Sequence, residues 1–170
     1  MSKCKPLPKL VVFGDPQKGS VSEAITEFTQ FVAGKADILC SGTIEKCTTD
    51  ALGQCDFAVV FGGDGSIITA ARHLAQTRVP VIGVNMGKLG YLAEFSVGEL
   101  KELFSSIVAG QTSIEKRMML SCKLPKQSWA GTALNEVFIA AGPPFNMTEL
   151  RISVDGHSVA RCVSDGLIIS

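Results

Sequence analysis

Up to about residue 110 this chain alternates between two apolar textures, and beyond that point a third takes over. Short continuous runs, Lys9-Leu10-Val11-Val12-Phe13, Phe57-Ala58-Val59-Val60 and Val79-Pro80-Val81-Ile82-Gly83-Val84, read as buried strands. Between them the apolar positions take helical spacing. Val21, Ala24, Ile25, Phe28, Phe31 and Val32 predict a helix that Ser20 or Ser22 can cap and Gly34 can end. Ala36 to Cys40 adds a strand, and Ile67 to Gln76 a second helix. A third helix over Val97 to Val108 puts Leu100, Leu103, Phe104, Ile107 and Val108 on one face, with Gly110 as its stop. This β-α-β alternation with short loops predicts an α/β fold with a doubly wound parallel sheet. In such sheets ligands bind beyond the carboxyl ends of the strands, where Gly62-Gly63-Asp64 and Asn85 both fall.

After Gly110 strand formers dominate, over Thr112 to Leu124, Gly131 to Ala141, Thr148 to Asp155 and His157 to Val163. Turn signals stand at Pro125, at Gly142-Pro143-Pro144 and at Asp155-Gly156, the last a strong hairpin signal. The reading is therefore an α/β domain over 1–110 and part of an antiparallel β domain over 111–170. Asp165 to Ser170 looks like one more strand being entered, with little helix nearby to cover an open sheet. A further C-terminal portion is expected on that ground.

Composition narrows the partners. Sixteen basic and sixteen acidic residues cancel, so no global charge draws the chain to nucleic acid or to an anionic membrane. No stretch approaches the roughly 20 apolar residues of a membrane span, and no apolar signal core follows the charged start. Six cysteines show no CxxC pair, and with only two histidines, His73 and His157, no zinc site is expected. The cysteines are therefore expected as scattered free thiols, which fit a reducing cytoplasm.

The most informative stretch is Phe61 to Ser66, FGGDGS, between a buried strand and a helix. Glycines let the backbone come close to a bulky anion, and helix N-terminal N–H groups cradle phosphate. A carboxylate there would repel phosphate, so Asp64 reads better as a base or a metal-linked group, which points to phosphoryl transfer. A turn aspartate capping the next helix is the plainer alternative. The loop is neither a Walker P-loop nor a GxGxxG motif. Asn85 opens a second tight loop, with Gly83, Gly87 and Gly90 inside eight residues, and Tyr91 beyond it is either a core aromatic or a platform for a heterocycle. Asn135-Glu136 interrupts an apolar strand, so one of the two side chains is expected on the packed face, where it needs partners. Asp165, in Ser164-Asp165-Gly166, is on its own no more than a turn residue.

Together, GGDGS, GVNMGKLGYL from Gly83, Leu134-Asn135-Glu136 and SDGLIIS over 164–170 resemble the ordered motif series of the NAD kinases. That family transfers a phosphate from ATP, or in some members inorganic polyphosphate, to the 2′-hydroxyl of the adenosine ribose of NAD. The likeness runs from about Val59 to the last residue. GGDG alone is shared with diacylglycerol and sphingosine kinases; the later motifs are more specific. The resemblance implies Asp64 as proton acceptor, Gly65 as its NAD-contacting neighbour, and Gly62 and Gly63 as the loop that meets the donor phosphates. It implies that Asn135, Glu136 and Asp165 hold the dinucleotide, that Tyr91 stands beside the adenine, and that Mg²⁺ assists. Arg72 matches a common family arginine, though a solvated helix arginine explains it equally well. Family members are usually homodimers or homotetramers joined through the β domain. In the family the DGLIIS segment continues into a Thr-Pro-x-Gly-Ser-Thr-Ala stretch and more strands, so this chain is expected to be an incomplete form whose own activity is open. A lipid kinase of the same superfamily and a non-catalytic nucleotide-binding module are the alternatives.

Overall fold

A computed structural model describes residues 6–170 apart from 88, 89 and 145. Lys88 and Leu89 of the glycine-rich loop, and the Cys4 thiol, therefore lie outside the described residues. The chain divides into two compact units, the first ending at Lys116 and the second running Arg117–Ser170.

The first unit is built on strands β1 (Lys9–Gly14), β2 (Asp37–Gly42), β3 (Phe57–Gly62) and β4 (Val81–Asn85). They form one sheet in the order β2-β1-β3-β4, with every pairing parallel. The helices are α1 (Gly19–Val32), α2 (Thr49–Gln54), α3 (Asp64–Leu74) and α4 (Val97–Val108). Strand alternation sends successive side chains to opposite faces, and the two faces carry separate cores. Leu10, Val12, Val59 and Phe61 pack with Val21, Phe28 and Val32 of α1 and Leu100 and Phe104 of α4. Val11, Phe13, Ala58 and Val60 pack with Leu52 of α2 and Ile67, Ala70 and Leu74 of α3. Continuous apolar runs are what a sheet covered on both sides requires. Phe28 is fully buried at the centre of an aromatic cluster, its ring centroid 5.6 Å from Phe61 and 5.8 Å from Phe104.

Two local readings change. The N-cap of α1 is Lys18, not a serine, and no side chain caps it. Ser20 and Ser22 lie inside the helix, where a hydroxyl no longer sits at the cap; the Lys18 carbonyl accepts from Val21 and Ser22 N–H instead. Helix α3 starts at Asp64, three residues before the apolar pattern does, because extended Gly63 serves as its N-cap. Helix α4 has the bounds its periodicity predicts. Its start is locked by a capping box in which the Ser96 hydroxyl accepts from Glu99 N–H and the Glu99 carboxylate accepts from Ser96 N–H. The Ser96 hydroxyl also donates to the Glu99 carboxylate at 2.7 Å, and this bond foremost, with that from Ser96 N–H, holds the Glu99 carboxyl below its usual range.

The second unit contains three two-stranded antiparallel ladders. They join β5 (Leu120–Leu124) to β6 (Trp129–Ala133), β7 (Val137–Ala140) to β10 (Gly166–Ile169), and β8 (Thr148–Val154) to β9 (His157–Ser164). The hairpin at Asp155-Gly156 forms as read: both residues have positive φ, 50° and 81°, as a two-residue turn of the primed type demands. Asn135-Glu136 is a correction. The segment bends at Leu134–Asn135, and both polar side chains are exposed. The chain changes pairing partner between β6, which pairs with β5, and β7, which pairs with β10, so the residues in between leave the ladder and are solvated. None of the described residues of this unit is buried.

Candidate functional site

The sheet order defines where a ligand can enter. From β1 the chain crosses outward to β2, whereas β3 lies on the other side of β1 and leads on to β4. The direction of winding therefore reverses between β1 and β3, and the crevice outside their carboxyl ends is the switch point at which such sheets bind ligands. Gly14-Asp15 ends β1, and Gly62-Gly63 ends β3. Two clefts occupy this crevice. The smaller, about 140 Å³, is lined by Asp15, Lys18, Gly62, Gly63, Ser66 and Met86 among others. The larger, about 420 Å³, is lined by Gly14, Asp15, Lys18, Gly65, Ser66 and Thr69, with Thr43, Ile44 and Glu45 on its far wall. That volume lies within the roughly 300–1,000 Å³ of small-molecule sites.

The chemistry of the crevice suits an anion. The N-terminus of α3, which no side chain caps, opens beside Gly62 and Gly63, and helix N-termini favour negative charge. Lys18 is the one cationic side chain among the described residues lining either cleft.

Asp64 does not turn its carboxylate into its own helix terminus. Its Oδ2 accepts from Tyr91 N–H at 2.9 Å and its Oδ1 from Leu92 N–H at 3.0 Å. The acid thus clamps the loop after β4 to the start of α3, and the loop in turn orients the acid. A second tether is the Asn85 Oδ1, which accepts from Gly87 N–H at 2.9 Å, while Met86 N–H reaches the Gly62 carbonyl at 3.2 Å. Gly90 is required here by space: a Cβ at that position would lie 2.2 Å from Asp64 Oδ1 and 2.6 Å from its Cγ. We expect Gly90→Ala to push the carboxylate off the two N–H groups and destabilise the first unit by about 1–3 kcal/mol, the usual cost of overpacking. Urea denaturation followed by fluorescence or circular dichroism checks it.

The residues read from sequence are distributed as follows. Gly62, Gly63, Asp64 and Gly65 share the β3–α3 junction at the crevice, and Tyr91 reaches it through its backbone N–H while its side chain is 93% exposed. Arg72 is exposed on α3 and lines neither cleft. Asn135, Glu136 and Asp165 belong to the second unit. Glu136 precedes Val137, which pairs with Ile169, whereas Asp165 precedes Gly166, which pairs with Ala140. The two acids therefore stand at opposite ends of the β7–β10 ladder, about 15 Å apart by strand rise. The Asp165 carbonyl accepts from Ala141 N–H at 2.9 Å, and its carboxylate takes the Ser164 hydroxyl at 3.2 Å. Sequence reasoning missed Asp15 and Lys18 and the wall at 43–45. The Gly14-Asp15-Pro16 break after β1 was a usable signal, since it too ends a strand of the parallel sheet.

Comparison with known proteins bears on this arrangement. The profile of the ATP-NAD kinase N-terminal domain matches residues 16–112. An NAD kinase of Cellvibrio japonicus is 40% identical over 125 residues, 71% of this chain and 42% of that relative. One from Desulforamulus reducens is 32% identical over 166 residues, 90% of this chain and 58% of the relative. The chain spans about half the length of the curated relatives it matches. Among solved structures, yeast NADH kinase complexed with NADH has a TM-score of 0.84 at 23% identity, over 96% of this chain and 57% of that one. An Archaeoglobus fulgidus NAD kinase in complex with ATP has a TM-score of 0.63 at 23% identity, over 95% of this chain and 59% of that one. At that identity the two structures speak for the fold.

Proposed function

The chain belongs to the NAD kinase family, and from that premise we propose that it carries the donor cleft, the base and part of the acceptor site for phosphorylating NAD at the 2′-hydroxyl of its adenosine ribose. The observation that carries the reading is a carboxylate, Asp64, fixed by two backbone N–H groups at the first residue of α3, next to Gly63 and Gly65, which with Lys18 line the clefts at the β1/β3 switch point.

The two clefts together take the donor. Glycine backbone at 62 and 63 in the smaller cleft and at 65 in the larger, the α3 N-terminus, and Lys18, which lines both, offset the charge of its phosphates. ATP is the donor we favour, in keeping with the Archaeoglobus relative, which is complexed with ATP; polyphosphate would use the same charges. Among the described residues no group of three or more His, Cys, Asp or Glu could hold a metal ion. Asp15, which lines both clefts, is the carboxylate that would hold a donor-borne Mg²⁺, and the ion would supply neutralisation of phosphate charge. Asp64 accepts the proton of the ribose hydroxyl as its oxygen meets phosphorus in line, and its two N–H tethers keep the carboxylate from swinging away.

The acceptor is NAD, or NADH as in the yeast neighbour; within the first unit Tyr91 is its candidate contact, and within the second unit Asn135, Glu136 and Asp165 are. Their separation along β7–β10 suits an extended dinucleotide rather than a compact ligand. The exposed apolar side chains of the second unit, among them Trp129, Phe138, Val163 and Ile168, suit burial in a homo-oligomer of the complete protein. No described helix is long and apolar enough to cross a membrane.

The test is NADP⁺ formation from NAD⁺ and Mg-ATP. This chain alone is to be compared with the same chain continued after Ser170 by the part of the Desulforamulus relative beyond its matched residues. Product from the continued form supports the reading. No product from either form, with NAD⁺ still bound, points to a binding module instead.

A further inference from the structure

The wall of the larger cleft opposite the glycine loop hangs on two cysteines that spacing did not single out. Cys40 lies in β2, the edge strand of the sheet, and Cys47 follows the 3₁₀ turn Ile44–Lys46. The two are joined as a disulfide with their Cα atoms 5.9 Å apart across seven positions of sequence, a separation that suits a disulfide without backbone movement. Between them run Thr43, Ile44 and Glu45, which line the cleft across from Gly65, Ser66 and Thr69. Ile44 is buried in the second core, and both cysteines are half-buried against that core. On the β2 side the segment is held by pairing of Ser41 with Val12 and Gly42 with Phe13. Beyond Gly42 two short turn hydrogen bonds among the described residues, Lys46 N–H to the Thr43 carbonyl and Cys47 N–H to the Ile44 carbonyl, tie the backbone down. Cross-linking the ends of so short a segment removes most of its freedom.

We propose that Cys40 and Cys47 are a reversible redox-modification site whose disulfide clamps the Thr43–Glu45 wall of the donor cleft and whose dithiol form releases it. The reactant is a small-molecule disulfide of the glutathione class. One cysteine thiolate attacks a sulfur of that disulfide, breaking its S–S bond and releasing one thiol. The second cysteine thiolate then attacks the mixed disulfide, forming the Cys40–Cys47 bond and releasing the other thiol. Two electrons pass from the protein to the reagent, and the two protons end on the released thiols. Among the described residues of this unit the remaining cysteine, Cys55, is a poor competitor: it is buried, its thiol pushed up by that burial and donating to the Leu52 carbonyl.

The experiment equilibrates the chain across a series of reduced-to-oxidised glutathione ratios, quenches with acid, alkylates and maps the peptides by mass spectrometry. Amide hydrogen exchange and Mg-ATP titration are run at the two extremes. The Cys40–Cys47 link is expected to form and break reversibly. Exchange at 43–46 is expected to rise about tenfold or more on reduction, while β3 stays protected. The Cys40→Ser/Cys47→Ser variant should behave as the reduced protein at every ratio. Separate alkylation of both cysteines at all ratios, or unchanged exchange at 43–46, would overturn the proposal. The titration arm alone rests on the donor reading. Mg-ATP binding that weakens several-fold on reduction supports both ideas. No Mg-ATP binding in either state, with the exchange switch intact, upholds the redox site and contradicts the donor cleft.

Discussion

Asp64→Asn is expected to lower NADP⁺ formation by about 10²–10⁴-fold, the range that general-base catalysis contributes, while Mg-ATP affinity stays within a few-fold of the parent. The asparagine keeps the size of the side chain and loses the proton-accepting oxygen. It also has a single acceptor where the carboxylate serves two backbone donors, Tyr91 N–H and Leu92 N–H. One of those N–H groups must then face an NH₂, so the loop after β4 loosens as well. Asp64→Glu separates the two effects, because it keeps both acceptor oxygens and displaces the base. Initial rates of the continued form at saturating substrates measure both variants. A rate for Asp64→Asn within tenfold of the parent removes Asp64 from the proton transfer.

The largest effect on folding is expected at Phe28. Its ring is fully buried between α1, β3 and α4, in contact with Phe31, Phe61 and Phe104. Phe28→Ala should cost about 3–5 kcal/mol, combining lost transfer energy with a cavity the neighbours cannot refill. At about 4 °C per kcal/mol for a unit of this size, the midpoint of melting should fall by roughly 12–20 °C. Phe31 is only partly buried and stacks under the Lys35 ammonium at 3.7 Å, so Phe31→Ala should cost markedly less. Equal losses in the two variants would mean the cluster is not the centre of the core.

What could be read from the residues follows physical strength of signal. Helix α4 was legible to the residue because five apolar positions and a stopping glycine agree. The parallel sheet was legible because β1, β3 and β4 are apolar on both faces. Helix α2 and the 3₁₀ turn before it were not, since each buries a single side chain, Leu52 and Ile44, and one residue makes no period. Asn135-Glu136 was misread as mid-strand because propensity is blind to a change of pairing partner between β6 and β7. At the site, FGGDGS announced the anion cradle, but not what holds its acid. The clamp runs through backbone N–H groups at 91 and 92, which carry no side-chain signature. The cysteine pair was invisible for a related reason: six intervening residues bring Cys40 and Cys47 together only because β2 ends and the chain folds back at Ile44.

The central claim is that the crevice between β1 and β3 receives the phosphate donor, and it can be tested on the chain as it stands. The measurement is a Mg-ATP titration of ¹⁵N-labelled protein followed by backbone amide shifts. The account predicts saturable shifts concentrated at Gly14 to Lys18, Thr43 to Glu45 and Gly62 to Ser66, with the outer faces of α1 and α4 silent. Saturable shifts centred away from those three segments, or none at millimolar Mg-ATP, would contradict it.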